Sequence, residues 1–478
     1  MFRPKEIMFG ILVVALTIVV PPVAAQADKV DDYIKSEMDK RQIPGVALAV
    51  IKDGKVVKMK GYGLASVELN VRVTPESVFE LASLTKQFTA TAIMLLVEDG
   101  KVGLDDKISK YLTNAPETWK DITVRHLLTH TAGLKGNLFP TFGGSALMNY
   151  TTAVIFGYAP TLPVDFAPGQ RYQYSDGGYF LLGMIIEKAS GMRYREFLTQ
   201  RIFHPLGMTA TVHLREDQWA IVKNRASHYT WREGKLARMR RDVQYEMNSA
   251  FGIGSTVKDL SKWDAALYTE KILKKSTLDQ MWTPLKLNNG FGHSYGFGWF
   301  LDEIRGHRLI AHGGTTGVFL LRLPDDRLTV IVLANLANLA GTNPGGIALT
   351  VAGHYIPDLL LSGLKEQPDS DPQMTQKMRS VLSDIANEVK DSPHMTPGFQ
   401  ESMADAANLR LRLRGYLKDM KSFTLVACDD VQGRQMDRFG APVSRICYYK
   451  LVNALETRYF RFHFTADGKV ADIWSHAE

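Results

Sequence analysis

The rhythm of apolar and polar positions changes along the chain. It opens with a pair of apolar-rich runs, 46–51 and 56–62, around Lys52-Asp53-Gly54-Lys55. An Asp-Gly pair between such runs predicts a tight hairpin, because both central residues of that turn need positive φ. A helical period follows: Phe88, Ala92, Leu95 and Leu96 share a face, predicting a helix over about 85–98 with Gly100 as its stop. Residues 123–131 predict a short helix ending near Gly133, and 179–190 another stopped by Gly191. The stretch 139–170, rich in Gly, Pro, Thr and aromatics without periodicity, predicts irregular cavity-lining loops.

Apolar runs return at 318–323 and 329–335, with Asp325-Asp326 in a turn between them, and 346–361 predicts a closing helix. Early strands, a helical middle and late strands imply one α/β domain whose sheet draws on both ends of the segment. A polar, proline-containing break then runs from Lys365 to Pro372. Beyond it, helical patterns at 374–390 and 398–420 precede strand-like runs at 422–428, 444–452, 456–465 and 469–474. These predict a small α+β domain. The expected division is a leader at 1–27, a main domain at 28–362, a linker at 363–373 and an accessory domain at 374–478.

The leader changes the picture. Arg3 and Lys5 precede a 14-residue apolar run, 7–20, then Pro21-Pro22 and small residues spaced Val23-x-Ala25 or Ala25-x-Ala27. This is the pattern of a cleaved Sec-type signal, implying a periplasmic or secreted protein; an uncleaved anchor is the alternative, though the run is short of the roughly 20 residues a span needs. Removing 1–27 takes two positive charges and one negative, so the formal charge of +7 becomes +6. Its densest cluster, Arg232, Lys235, Arg238, Arg240 and Arg241, could meet anionic envelope material or be plain solvated surface. No nucleic-acid motif stands out. The two cysteines, Cys428 and Cys447, could form one disulfide across neighbouring strands in an oxidising compartment, or remain two buried thiols.

Chemistry centres on Ser83-Leu84-Thr85-Lys86. At a helix start, Ser and Lys three apart share a face, so the amine reaches the hydroxyl. A serine hydroxyl needs a base, and a desolvated lysine can serve because burial lowers its pKa. The spacing alone decides little, since Ser255–Lys258 and Ser362–Lys365 share it. Context selects Ser83: apolar Val78-Phe79-Glu80-Leu81-Ala82 precedes it and a long amphipathic helix follows. Ser255 reads as a helix cap, and Ser362 sits at the linker. A second element is Tyr172-Gln-Tyr-Ser-Asp-Gly177, where Tyr174 beside a lysine ammonium could relay protons, or simply pack. The third is His312-Gly-Gly-Thr-Thr-Gly317, whose glycines would let a substrate lie against a strand edge, or merely make a turn. His126 and His130, four apart, suggest a metal pair, but Leu-Leu-Thr between them lacks the acid of a zinc protease.

Six segments in order resemble the serine β-lactamase-like family of class C β-lactamases, DD-peptidases, D-aminopeptidases and family VIII esterases. They are Pro44-Gly-Val, Phe79-Glu-Leu-Ala-Ser-Leu-Thr-Lys-Gln-Phe-Thr, the stretch 122–134, Tyr174-Ser-Asp-Gly-Gly-Tyr-Phe-Leu-Leu-Gly183, the stretch 252–263 and His312-Gly-Gly. The resemblance covers about 30–360 and implies a β-lactamase/transpeptidase-like fold, an antiparallel sheet flanked by helices with a helical subdomain. It implies Ser83 as acylated nucleophile, Lys86 as its proton partner and Tyr174 as the base for the deacylating water. Backbone N–H groups of Ser83 and of Thr315, just past Gly313 and Gly314, would form the oxyanion hole. In this family 122–134 is scaffold, and neither metal nor organic cofactor is implied.

Two positions depart from the family pattern. His312 stands where Lys-Thr-Gly is common, which weakens the grip on a substrate carboxylate and favours esters, amides or D-aminoacyl substrates. Asp176 stands where asparagine is usual; it could hold Lys86 charged or meet a substrate amine. The expectation is a serine hydrolase acting on a carboxylic ester or small amide, then D-peptides, then β-lactams, with no nucleic-acid partner, no stable membrane span after signal cleavage and a homo-oligomer open. The rival is a non-catalytic envelope protein that binds peptidoglycan-type peptides or partners.

Overall fold

The computed structural model describes residues 28–135, 148–214, 221–239, 243–245, 247–290, 292–338, 341–364, 371–403, 407–431, 436–454 and 456–477. The expected leader (1–27), Arg240, Arg241 and 365–370 of the expected linker lie outside them. Among the described residues no helix is long and apolar enough to cross a membrane.

Helix α1 (Lys29–Arg41) leads into β1 (Gly45–Lys52) and β2 (Lys55–Ser66), joined by Asp53 at φ +52° and Gly54 at φ +75°, the two left-handed residues that this hairpin turn requires. The short β3 (Val71–Arg72) closes that edge. Four late strands complete the sheet: β4 (Phe300–Ile304), β5 (His307–Gly314), β6 (Val318–Leu323) and β7 (Leu328–Ala334). Their order is β4-β5-β6-β7-β1-β2-β3, antiparallel throughout, with Ala49 opposite Ile331 where the two chain regions meet. The near-continuous apolar run of β1 is explained by burial on both faces: Ala47, Ala49 and Ile51 face one core while Val46, Leu48 and Val50 face the other.

The first core is covered by a helical layer. Helix α2 (Lys86–Glu98) is buried from Lys86 through Leu96, as a central helix should be. Helix α3 (Val124–Leu128) is capped by Thr123 and ends earlier than the sequence suggested, because the chain turns left-handed at His130 with φ +59°. Helix α4 (Asp176–Ser190) starts three residues early, since the Ser175 hydroxyl accepts the Gly178 N–H, and stops at Gly191 as expected. Helix α5 (Val257–Ala266) packs on the same face, and α6 (Pro344–Gly353), shorter than the expected 346–361, covers the opposite core.

One stretch differs from expectation. Of 139–170, the described part contains a regular helix, Thr152–Tyr158, capped by the Thr151 hydroxyl, and Met148–Tyr150 pairs in parallel with Val243–Tyr245. None of residues 148–170 lines the large cleft described below. Burial of Ile155 in the first core, together with the Thr151 cap, holds this helix despite the local glycine and proline content.

The C-terminal region holds α7 (Pro372–Ala386) and α8 (Ala407–Lys418) against the four-stranded antiparallel sheet β8 (Met420–Asp430), β9 (Arg445–Asn453), β10 (Thr457–Phe464) and β11 (Val470–Ala477). Met378, Leu382, Phe423, Tyr449 and Phe462 share its core. Cys428 and Cys447 lie directly opposite on β8 and β9 and form a disulfide, which resolves the two sequence alternatives. This region docks on β4, where Asp302 accepts from the guanidinium groups of both Arg438 and Arg461.

Candidate active site

The turn carrying Ser83 is held from both sides. Phe79–Glu80 pairs with Gly254 and Ser255, the Leu81 N–H donates to the Ile253 carbonyl at 2.9 Å, and the Thr316 hydroxyl donates to the Glu80 carbonyl at 2.6 Å. Ala82, just before Ser83, takes φ +46°, a conformation that costs a non-glycine residue energy and persists only where neighbours enforce it. Gly314, at the end of β5, is one of these neighbours. A Cβ there would stand 2.3 Å from the Leu81 carbonyl oxygen, so only glycine lets the strand end lie against this turn.

One helical turn on, Lys86 is fully buried, its Nζ 3.1 Å from Ser83 Oγ, 2.6 Å from Asp176 Oδ1 and 3.1 Å from the Ala250 carbonyl. Burial pushes its pKa down and the Asp176 carboxylate partly restores it, the net shift being downward. The Tyr174 ring centroid lies 4.8 Å from the same amine. Burial raises the Tyr174 phenol well above its ordinary value and Asp176 adds to this, while a hydrogen bond with Ser83 works the other way. Lys86 is thus biased toward its neutral amine and Tyr174 toward keeping its proton.

His312 is buried, and its contacts define one tautomer. Nδ1–H donates to the Gly313 carbonyl at 2.8 Å and Nε2 accepts from the Tyr295 hydroxyl at 3.2 Å. Burial, followed by the Lys86 charge, pulls its pKa down to about 3, so the ring is neutral at ordinary pH. Thr315 is exposed beyond the strand end, its carbonyl accepting the Asn338 N–H at 2.9 Å. Ser83, Tyr174, His312, Gly313, Gly314 and Thr315 all border one cleft of about 1100 Å³. Asp176 is reached through Lys86 rather than through that cleft.

The remaining sequence candidates separate. Ser255 lies on a buried strand hydrogen-bonded to Thr211, and Lys258 is exposed beside Glu76. Lys365 lies outside the described residues. His126 Nδ1 accepts the Thr123 N–H, whereas His130 Nδ1 accepts from Ser175 in the loop before α4, so the two rings face different elements. Sequence reasoning missed the Ala250 carbonyl, Tyr295 and the far wall of the cleft. Arg412 and Tyr416 of α8, with Trp474 and His476 of β11, line that wall. Their only sequence signal was position on an amphipathic helix and an aromatic strand, which carries no address.

Comparison with known proteins follows the same outline. The beta-lactamase family matches residues 30–351. Penicillin-binding protein 4* of Bacillus subtilis (strain 168) is 33% identical over 314 residues, 62% of this chain and 69% of that protein. Protein flp of Staphylococcus aureus (strain MRSA252) is 28% identical over 64% of this chain, which spans only 62% of flp. Among solved structures, the octameric penicillin-binding protein homologue from Pyrococcus abyssi aligns with a TM-score of 0.60 and 25% identity, over 94% of this chain and 98% of that one. The D-amino acid amidase from Ochrobactrum anthropi SV3 aligns with a TM-score of 0.58 and 26% identity, over 69% of this chain and 100% of that one.

Proposed function

This chain belongs to the beta-lactamase family and is a serine hydrolase of that kind; we propose that it works through an acyl-enzyme on Ser83, with a carboxylic ester or small amide as substrate. The observation that carries this reading is a fully buried lysine amine 3.1 Å from a cleft-lining hydroxyl. In the first half-reaction Ser83 Oγ attacks the carbonyl carbon as its proton passes to Lys86. The bond to the leaving alcohol or amine then breaks, and that group takes a proton by way of Tyr174, which is held protonated at rest. In the second half-reaction water attacks the acyl carbon, gives up its proton to the same pair, and frees Ser83. The glycine contact between β5 and the Ser83 turn supports an oxyanion hole made by the N–H groups of Ser83 and Thr315.

The substrate order rests on two side chains. A neutral His312 offers no fixed cation to a β-lactam carboxylate. Asp176, already paired with Lys86, has little charge left for a substrate amine, which places D-aminoacyl compounds behind esters even though a D-amino acid amidase shares the fold. We further propose export by the 1–27 segment, separate hydrolase and accessory domains meeting within 363–373, and, from the octameric homologue, self-association as a question for solution mass.

The Lys86–Asp176 ion pair also favours a second reading, in which the lysine stays charged and the cleft binds peptidoglycan-type peptides without turnover. Wild type and Ser83→Ala, assayed on short-chain nitrophenyl esters, a D-alanyl anilide and a chromogenic cephalosporin, separate the two. We expect the ester to be turned over fastest and the variant to lose about a thousandfold or more in kcat. Undiminished ester turnover in Ser83→Ala would refute the mechanism. Binding without turnover by wild type would establish the second reading.

A further inference from the structure

Tyr174 is held from three directions by one residue in another segment. The Gln173 N–H donates to the His130 carbonyl at 2.8 Å, and the Ser175 N–H donates to His130 Nδ1 at 3.0 Å. The imidazole ring itself lies 4.3 Å from the Tyr174 ring, tilted by 31°. We infer that His130 is the positioning residue of Tyr174, clamping the loop on both sides of the tyrosine and so fixing where the phenol meets Ser83.

Three further observations bear on this. His130 sits at φ +59°, left-handed backbone that a non-glycine residue adopts only under constraint, so the clamp is built on a strained corner. Its second nitrogen, Nε2, is buried without a hydrogen-bond partner among the described residues. An orphaned buried polar atom destabilises the fold, a penalty that a phenylalanine filling the same space would avoid. Phenylalanine would instead strand the amide of Ser175, the residue whose hydroxyl caps α4. The acceptor at Nδ1 is therefore the feature that packing alone does not explain.

The surroundings keep that acceptor available. The titratable groups around the ring are Lys86, His293, His312, Tyr172, Tyr174, Tyr179 and Tyr295. Burial, then the Lys86 charge and the two histidines, hold the imidazole well below its ordinary pKa. A neutral ring with its proton on Nε2 can accept from Ser175 at any working pH. The clamp is a fixed element of the site.

The inference rests on the reading that Tyr174 carries a proton for Ser83, and its test runs beside that of the reading itself. His130→Phe keeps a ring but loses the acceptor; His130→Asn restores a carbonyl acceptor near Nδ1 and tolerates left-handed backbone. With a nitrophenyl ester we expect His130→Phe to lower kcat about tenfold to a hundredfold with KM within about twofold, and His130→Asn to recover most of the loss. Full kcat in a natively melting His130→Phe overturns the inference, as does a folded His130→Asn as slow as His130→Phe. Should His130→Phe lose its melting transition, His130→Asn decides alone, and a folded enzyme down more than about tenfold overturns the inference. If Ser83→Ala and Tyr174→Phe are active, the underlying reading fails. If both are inactive while His130→Phe is unimpaired, only the clamp fails.

Discussion

Burial drives the Lys86 amine toward its neutral form, and the Asp176 carboxylate 2.6 Å away drives it back. If the neutral amine is the working base, activity rises with pH as Lys86 loses its proton. Asp176→Asn removes the anion that stabilises the ammonium, so the acid limb of kcat/KM should move to lower pH. Asp176 also raises Tyr174, so the same variant eases proton movement through the phenol. A limb that stays in place, or moves to higher pH, would show that Asp176 does not set the charge of Lys86. His312 gives a complementary expectation: with its pKa near 3, it should contribute no inflection between about pH 5 and 8. The profile of His312→Gln should therefore have the wild-type shape, whatever its height. Ser83, Lys86 and Tyr174 were legible in the sequence as segments that matched a pattern. The protonation state of His312 was not, because it depends on burial and on the Lys86 charge, which only the fold brings to the ring.

At the scale of elements, the close approach of β5 to the Ser83 turn depends on the missing side chain of Gly314. Gly314→Ala would bring a Cβ to 2.3 Å from backbone that cannot swing aside. Overpacking of this kind costs about 1–3 kcal/mol, and here the strain falls on the Ser83 turn. We expect a lowered melting temperature together with a drop in kcat of at least about tenfold; wild-type values of both would mean that the turn and the strand end are not coupled. The same scale shows why some elements were readable. The Asp53-Gly54 hairpin announces itself by residues that only one turn type accommodates. Strand β1 was readable as apolar, but its two-sided burial follows from helices on both faces, which no local pattern states. The helix Thr152–Tyr158 was missed because its single cap is a weak signal amid glycine and proline.

Across the whole molecule, the cleft has two owners. Ser83 and His312 stand on one side, and Arg412, Tyr416, Trp474 and His476 of the C-terminal region stand on the other. Trp474→Ala should leave acetyl ester turnover within about twofold and lower kcat/KM severalfold for long acyl chains, on the order of 1 kcal/mol of lost apolar contact. Equal effects on both esters would argue that the far wall never touches substrate. The Cys428–Cys447 disulfide spans a separation of 19 residues, so Cys428→Ser with Cys447→Ser should cost the C-terminal region about 3 kcal/mol by denaturant titration. That this region would form a helix-backed sheet was legible from its periodicities; that it would border the site was not, since docking through Asp302 pairs residues more than 130 positions apart. Whatever the role of the far wall, the proposed chemistry depends on the reactivity of one hydroxyl. Its most direct measurement is peptide mapping by mass spectrometry after incubating the intact protein with a fluorophosphonate. We expect one adduct per chain, on Ser83, lost in a folded Lys86→Met; a folded wild-type protein that takes no label, or takes it on another serine, would refute the acyl-enzyme.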